Sequence, residues 1–395
     1  MIRSLFKRSG VYLSGLTASR MLSTIVFILF ARSLTPSAFG DFVLFTTLAL
    51  TITYFSDFGL NQWYQKKASE HETNVLFNIV LNARLLTLLV SILLSFSFIL
   101  ITKSFPLDIS LIFLVVLITE AFLSIIDGYY LERKQAFRLS LKNTIRMLIY
   151  LAGYVIFLHQ FSFSVAVYLY LFSSIITVLV LFPWETLLSF SMIPLGKIYV
   201  TLKSSSSYAL LIFTSYAYAR GDSLVVRYLI NSTALGLYGA SYRFLEGLSL
   251  IPTALAHNLF PLSAKESNIS YKQLVKITGT MIIFGISIGS ALFFSANFLI
   301  RTLLGAQYIH TIPVLKIFSA VLLLFFINSP LSTVIQSSRM LKKFLPWGVG
   351  NTALNIGLNI IFVPLLGITG AAWVMFTTEV TGLLINLYFV KKLYS

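Results

Sequence analysis

TSYAYARGDSLVVRYLINSTALGLYGASYRFLEG (residues 214–247) is apolar enough to enter a bilayer, yet it carries Arg220, Asp222, Arg227, Arg243 and Glu246. A charge at the centre of a spanning helix costs about 2.5–3.5 kcal/mol even on lenient insertion scales, so these residues must face a protected or watery interior. The stretch has an echo in the first half of the chain. ARSLTPSAFGDFVLF (31–45) lays over VRYLINSTALGLYGAS (226–241), which puts Arg32 on Arg227, Leu34 on Leu229 and, with one residue inserted, Gly40 on Gly236. Together the two stretches read as a duplicated membrane protein.

Composition sets the class. With 57% hydrophobic and 11% charged residues over 395 positions and a mean hydropathy of +0.88, a soluble globule would lack the polar surface to cover itself. The absence of cysteine removes disulfides, thiolate chemistry and Cys-ligated metals together. The N-terminal MIRSLFKRSG resembles a signal n-region, but no short apolar core with a small-residue cleavage site follows, so it reads as a retained cytoplasmic end.

A membrane core about 30 Å thick takes about 20 helical residues. Twelve apolar windows of that order occur, near 10–31, 38–59, 75–101, 107–128, 140–159, 163–183, 204–229, 236–260, 277–300, 313–336, 344–364 and 369–390. With the N-terminus inside, most of the 29 Lys and Arg fall on the cytoplasmic side, while Arg32, Lys103, Arg227 and Arg301 fall outside. That asymmetry predicts both termini in the cytoplasm. The net charge of +16 is then chiefly a topological signal, and nucleic acid is not an expected partner.

The echo extends further. Ala68 and Glu70 match Ala264 and Glu266, and Arg133 falls near Arg339. The sequence thus predicts an all-α polytopic membrane protein with twelve transmembrane helices in two six-helix bundles, residues 1–190 and 191–395, related by a parallel pseudo-two-fold repeat. Such a repeat places a cavity between bundles that rock to give alternating access. Short external connections leave little room for an extracellular glycan-binding domain, so no enzyme is expected. The alternative of a membrane-embedded glycan polymerase or transferase would rest on a carboxylate, His159 or His257.

Depth along each window, at 1.5 Å per residue, selects the intramembrane charges. Arg20, Arg84, Glu120 and Arg146 lie about 9–15 Å from the cytoplasmic edge, and Arg220, Arg243, Glu246 and Glu379 about 10–15 Å from the outer edge. Arg20, Arg84, Arg146, Arg220 and Arg243 are the candidate cationic cavity. Arg84 is at the depth of Glu120 and is a candidate to pair with it, and Arg243 and Glu246 have the i, i+3 spacing of an intrahelical pair. Arg20 and Arg146 have no acid nearby in sequence and are the expected free cations, although Asp57 is within reach of one of them. An arginine fork donates two parallel hydrogen bonds to phosphate oxygens, which suits a diphosphate. Tyr216, Tyr218 and Tyr242 are candidates for stacking on sugars or for the membrane belt. Glu120, Asp222, Glu246 and Glu379 are candidates for H+ or Na+ coupling. Asn351, Asn355 and Asn359, stacked at i, i+4, i+8, are candidates for bonds between helices or to a ligand.

LTPSAFGDFVLF, YFSDFGLNQWYQKKAS, GDSLVVRYLINSTALGLYGASYRFLEGL, GAQYIHTIPVLKIFSA and NTALNIGLNIIFVPLLGITGAAWV resemble segments of bacterial polysaccharide-biosynthesis membrane proteins. These are the O-antigen or repeat-unit flippases of the multidrug/oligosaccharidyl-lipid/polysaccharide exporter superfamily. The resemblance implies a two-bundle, twelve-helix fold in the bacterial cytoplasmic membrane and no cofactor beyond a coupling ion. It implies undecaprenyl-diphosphate-linked oligosaccharide as substrate, with membrane lipids and other polysaccharide-assembly membrane proteins as partners. The matched positions, among them Gly40, Asp57, Gly59, Asp222, Gly236, Tyr238, Arg243, Glu246, Gly367 and Gly370, are mostly turn and packing residues. A small-molecule antiporter of the same superfamily would share the fold.

Overall fold

A computed structural model describes residues 10–68, 73–133, 135–188, 190–263 and 269–395. Their regular structure is helical. The helices are α1 (Gly10–Ser33), α2 (Pro36–Asp57), α3 (Leu60–Lys67), α4 (Thr73–Thr102), α5 (Leu107–Glu132), α6 (Ala136–Ile156) and α7 (Phe163–Leu181), then α8 (Leu195–Leu229), α9 (Ser232–Leu248), α10 (Leu250–Ser263), α11 (Tyr271–Leu299), α12 (Ile312–Gln336) and α13 (Leu341–Tyr394). Among the described residues, seven helices are long and apolar enough to cross a membrane, and the chain is a multi-pass membrane protein. The longest, α13, breaks at Gly367, whose φ of 64° and ψ of −148° leave the helical region. A residue without Cβ adopts that conformation freely, and the break falls between the expected windows 344–364 and 369–390.

The remaining windows coincide with helices that carry charge or are interrupted. Arg146 and Lys142 sit in α6, and Arg220, Asp222 and Arg227 in α8. The expected single span at 236–260 divides at Ser249 into α9 and α10. Pro252, lacking an N–H, cannot serve the carbonyl four residues back, so the helix yields there. The matches drawn to Glu70, Ala264 and Glu266 lie outside the described residues.

The chain divides into two compact units, residues 44–217 and residues 1–43 with 218–395. These borders fall inside α2 and α8. In the unit of residues 44–217, α5 packs on α4, α6 and α7. An aromatic cluster of Phe45, Phe105, Phe113 and Tyr170, with ring centroids 5.2–5.8 Å from Phe45, fills one part of the core. The chain turns between α2 and α3 through Phe58 and Gly59, both at positive φ. Gly59 is required twice over, because a Cβ there would also come within 2.6–2.7 Å of Ala209 N and Ser205 O.

In the other unit α12 is central, packing against α9, α10, α11 and α13. Its Phe318 meets Tyr238 and Tyr242 of α9 edge-on, with centroids 5.5 and 5.9 Å away. The first turns of α2 cross α9 at two glycines. A Cβ on Gly40 would lie 1.8 Å from the Ser232 carbonyl oxygen, and one on Gly236 would lie 1.8 Å from the Pro36 carbonyl oxygen. Each glycine meets the carbonyl one turn before the other. Ser232 Oγ donates to Asp41 Oδ1 at 2.5 Å beside this crossing.

Candidate functional site

The charged residues of 214–247 converge within the unit of residues 1–43 and 218–395. Arg220 on α8 donates from Nη2 to Glu246 Oε1 on α9. One turn before Glu246, Arg243 donates from Nη1 to Oε2 of the same carboxylate at 2.7 Å. Two guanidinium groups thus share one carboxylate, and Asp222 lies two residues from Arg220 on α8. All three side chains stay in part accessible, Glu246 at 31%, Arg220 at 15% and Arg243 at 13%. Their apolar flanks are aromatic. The Arg243 guanidinium sits 3.8 Å above the Phe27 ring, and that of Arg220 lies 5.1 Å from the Tyr242 ring. Ring faces hold a cation without neutralising it. The trio can therefore orient an anion on its accessible side. The i, i+3 pairing of Arg243 with Glu246 is present, and Arg220 joins it.

Elsewhere two expected pairings are corrected. Arg84 does not pair with Glu120. Its Nη1 donates to Asp57 Oδ1 at 2.7 Å, with side-chain exposures of 2% and 4%. The left-handed turn at Phe58 and Gly59 ends α2 where Asp57 faces α4, a contact that depth along the helices could not reveal. Arg146 is not free either. Its Nη2 donates to Glu120 Oε1 at 2.5 Å and to Ser174 Oγ at 3.1 Å, because α5 presents Glu120 toward α6 and α7. Ser174 Oγ in turn donates to Glu120 Oε1 at 3.0 Å, so the pair is neutral, with the Arg146 side chain 11% exposed. Arg20 lies on α1, but its side chain is outside the described residues, as is that of His257.

The acids fall into distinct settings. Asp222 accepts from Tyr238 Oη at 2.5 Å and from the Ser223 backbone N–H at 2.6 Å, which ties α8 to α9. Glu379, on the second arm of α13, is buried and accepts from Tyr218 Oη at 2.5 Å and Asn328 Nδ2 at 2.8 Å. Among the described residues no Lys or Arg pairs with it. Around it, Asn386 donates to Asn328 Oδ1 at 3.0 Å and Asn355 to Thr378 Oγ1 at 3.0 Å. The side-chain oxygens of Asn351, Asn359 and Asn386 are buried with no hydrogen-bond partner. Buried acceptors without donors are uncommon and carry a desolvation cost. This polar cluster is only partly visible in the sequence. Asn351, Asn355 and Asn359 form an i, i+4, i+8 stack, whereas Asn328 and Asn386 are isolated amides in apolar helices, the one signal that could have found them.

The three tyrosines separate as well. Tyr216 packs its ring 4.5 Å from that of Tyr54, Tyr218 serves Glu379, and Tyr242 donates to the Ala219 carbonyl at 3.1 Å.

Several solved structures share this fold. A structure titled "Lipid II flippase MurJ, inward closed conformation" superposes with a TM-score of 0.80 at 18% identity, covering 96% of this chain and 87% of the other. An inward-facing multidrug resistance MATE family transporter of the MOP superfamily gives 0.71 at 12% identity, over 97% and 98% of the two chains. A MOP superfamily transporter from Pyrococcus furiosus gives 0.55 at 14% identity, over 97% and 96%. At these identities the likeness is one of fold. No curated protein matches the sequence. The sequence profile of the family described as polysaccharide biosynthesis protein, however, matches residues 5–266, well over half the chain. The matched region takes in the charged stretch at 214–247, and the chain belongs to the polysaccharide biosynthesis proteins.

Proposed function

We propose that this protein is a flippase that carries an undecaprenyl-diphosphate-linked oligosaccharide repeat unit across the bacterial cytoplasmic membrane by alternating access. The product serves O-antigen or another surface polysaccharide. In this reading the chain crosses the membrane twelve times as two six-helix halves, 1–190 and 191–395, with both termini cytoplasmic. The reciprocal contact of Gly40 and Gly236, the two residues the sequence repeat aligns, supports the duplication. No covalent chemistry is required. The observation that carries the substrate is the trio of Arg220, Arg243 and Glu246, in which two partly accessible guanidinium groups share one carboxylate, while Arg84 and Arg146 each meet an acid of their own. Its arginines would hold the diphosphate while the prenyl chain stays in lipid.

The test is surface glycan in cells carrying Arg220→Ala or Arg243→Ala. Each is expected to lower glycan at least about tenfold at normal protein abundance, since a charge-assisted hydrogen bond is worth about 1.5–3 kcal/mol. Lysine at either position should restore part of the loss. Wild-type glycan in all four variants would overturn the reading. The MATE-like fold keeps a drug antiporter in view, and for this chain we expect unchanged drug susceptibility on deletion.

Of the four acids considered for H+ or Na+ coupling, Glu379 is the one we assign. Glu120 is held by Arg146, Glu246 by two arginines, and Asp222 by Tyr238, whereas Glu379 accepts from the neutral donors Tyr218 and Asn328. Glu379→Gln should keep the shape of the pocket and abolish the dependence of transport on the ion gradient in membrane vesicles. Retention of that dependence would remove Glu379 from the mechanism.

A further inference from the structure

We propose that the unit of residues 1–43 and 218–395 carries a second diphosphate site, which takes the lipid-linked diphosphate as it leaves the protein. It lies at the end where α1 and α11 finish and α2 and α12 begin. The proposal rests on the flippase reading for its topology, in which this end is extracytoplasmic. Arg32 in the last turn of α1, Arg227 in the last turn of α8, Arg301 in the turn 300–304 after α11 and Lys316 near the start of α12 stand there against one acid, Asp41 of α2. Basic residues accumulate on the cytoplasmic side of membrane proteins, so this surplus runs against the general pattern. In the same topology Glu70, Glu72 and Glu266 belong to cytoplasmic loops. Asp41 itself is taken up, accepting from Ser232 Oγ at 2.5 Å and lying 4.0 Å from Arg227. Among the described residues no acid pairs with Arg32 or Arg301. Arg32 Nη1 donates instead to the Thr302 carbonyl at 2.7 Å, and Arg301 Nε to Asn297 Oδ1, one turn back, at 2.9 Å. Because α1 packs on the turn 300–304 and Thr302 follows Arg301 in the chain, both exposed arginines belong to one corner of the unit. One neutral acceptor orients each of them and leaves its charge standing.

The donors left over specify the ligand. Arg301 keeps both Nη groups, and Arg32 its Nε and Nη2, without a protein acceptor among the described residues. An arginine fork binds two oxygens at once, so two forks call for four. The phosphodiester of a glycerophospholipid offers two unshared oxygens, whereas a diphosphate diester offers four and the charge to match. The surface below suits a long apolar chain. Phe298 and Phe294, one and two turns before Arg301 on the same face of α11, are exposed, as is Ile25 two turns before Arg32 on α1. Arg301 falls in the last turn of the stretch Tyr271–Leu304, which is long and apolar enough to cross a membrane, so the diphosphate would sit at the water interface with its chain in lipid. Arg220 of the trio lies two turns before Arg227 on α8, about 10 Å deeper, which makes the two sites successive and not one.

The experiment uses the purified full chain in neutral detergent, with undecaprenyl diphosphate as the probe and native mass spectrometry to count bound lipid. The wild type should hold two, one at the trio and one here. The double variant Arg32→Gln with Arg301→Gln should hold one, its affinity at this site lowered about 25-fold, or about fivefold per arginine. Arg32→Lys with Arg301→Lys keeps the charge without the fork and should fall between. Arg301→Gln alone leaves the Arg32–Thr302 bond in place, so a fivefold loss at the wild-type unfolding midpoint sets a folding defect aside. Retention of phosphatidylglycerol should not differ between the wild type and the double Gln variant. An equal count of undecaprenyl diphosphate in those two proteins overturns the proposal and leaves the flippase reading untouched. A wild-type count of one that falls to none in the double Gln variant upholds this site and removes the trio, and a wild type that holds none overturns both. A parallel loss of phosphatidylglycerol would assign the corner to bilayer lipid and overturn the diphosphate.

Discussion

Gly40→Ala and Gly236→Ala are each expected to destabilise the protein by about 3 kcal/mol, seen as a fall of several degrees in the thermal unfolding midpoint and as reduced abundance in the membrane. In an ordinary helix the same change stabilises by about 0.5–1 kcal/mol, so the expected sign is the reverse of the intrinsic one. The reason is the atom that would be struck. The added methyl would lie 1.8 Å from a main-chain carbonyl oxygen, Ser232 for Gly40 and Pro36 for Gly236, and a main-chain oxygen cannot rotate away as a side chain can. Relief requires α2 and α9 to separate along their whole contact, including the Ser232–Asp41 hydrogen bond and the close approach of Val43 to Gly239. Gly279→Ala, on α11, is the control, since a Cβ there meets nothing within 4 Å. Variants at Gly40 and Gly236 that melt with the wild type while Gly279→Ala behaves alike would show that the crossing is looser than this.

The second large effect is expected at Arg84 and Asp57. Arg84→Ala or Asp57→Ala should cost about 3–5 kcal/mol, because each leaves an uncompensated charge in a site closed to water. The double change Arg84→Met with Asp57→Leu should recover most of that stability, since an apolar pair of similar volume carries no desolvation cost. Adding the single changes Arg84→Met and Asp57→Leu closes a cycle with the wild type and the double variant, and thermal unfolding of those four proteins gives the coupling. The same variants separate a structural role from transport. If Arg84 only pairs with Asp57, the double variant keeps surface glycan near normal. If it loses glycan at normal abundance, Arg84 meets the substrate after all.

The contrast between these pairs and the trio shows where sequence reading runs short. Position along a helix sets depth, and by depth Arg84 and Glu120 are natural partners. Pairing is decided by azimuth and by how helices turn. The two residues at positive φ after α2 carry Asp57 to Arg84, and α5 turns Glu120 toward Arg146 and Ser174. Neither fact has a local signature. Arg243 and Glu246 were legible as a pair because one helix carries both and its period is known. Glu379 illustrates an intermediate case. Its rarity in an apolar segment marked it, but its partners Tyr218 and Asn328 come from helices far away in sequence.

The sequence by itself determined the membrane class, the helical nature of the chain and the gap between the windows 344–364 and 369–390, which follow from composition and the length of apolar runs, and the family, which follows from the segments it shares with other members. Only the tertiary structure decided which acids Arg84 and Arg146 meet, where α2 and α9 cross at their glycines, and how the compact units divide the chain. Those outcomes depend on which helix faces meet, and in a bilayer nearly every face is apolar, so periodic patterning, the usual guide to facing, is weak.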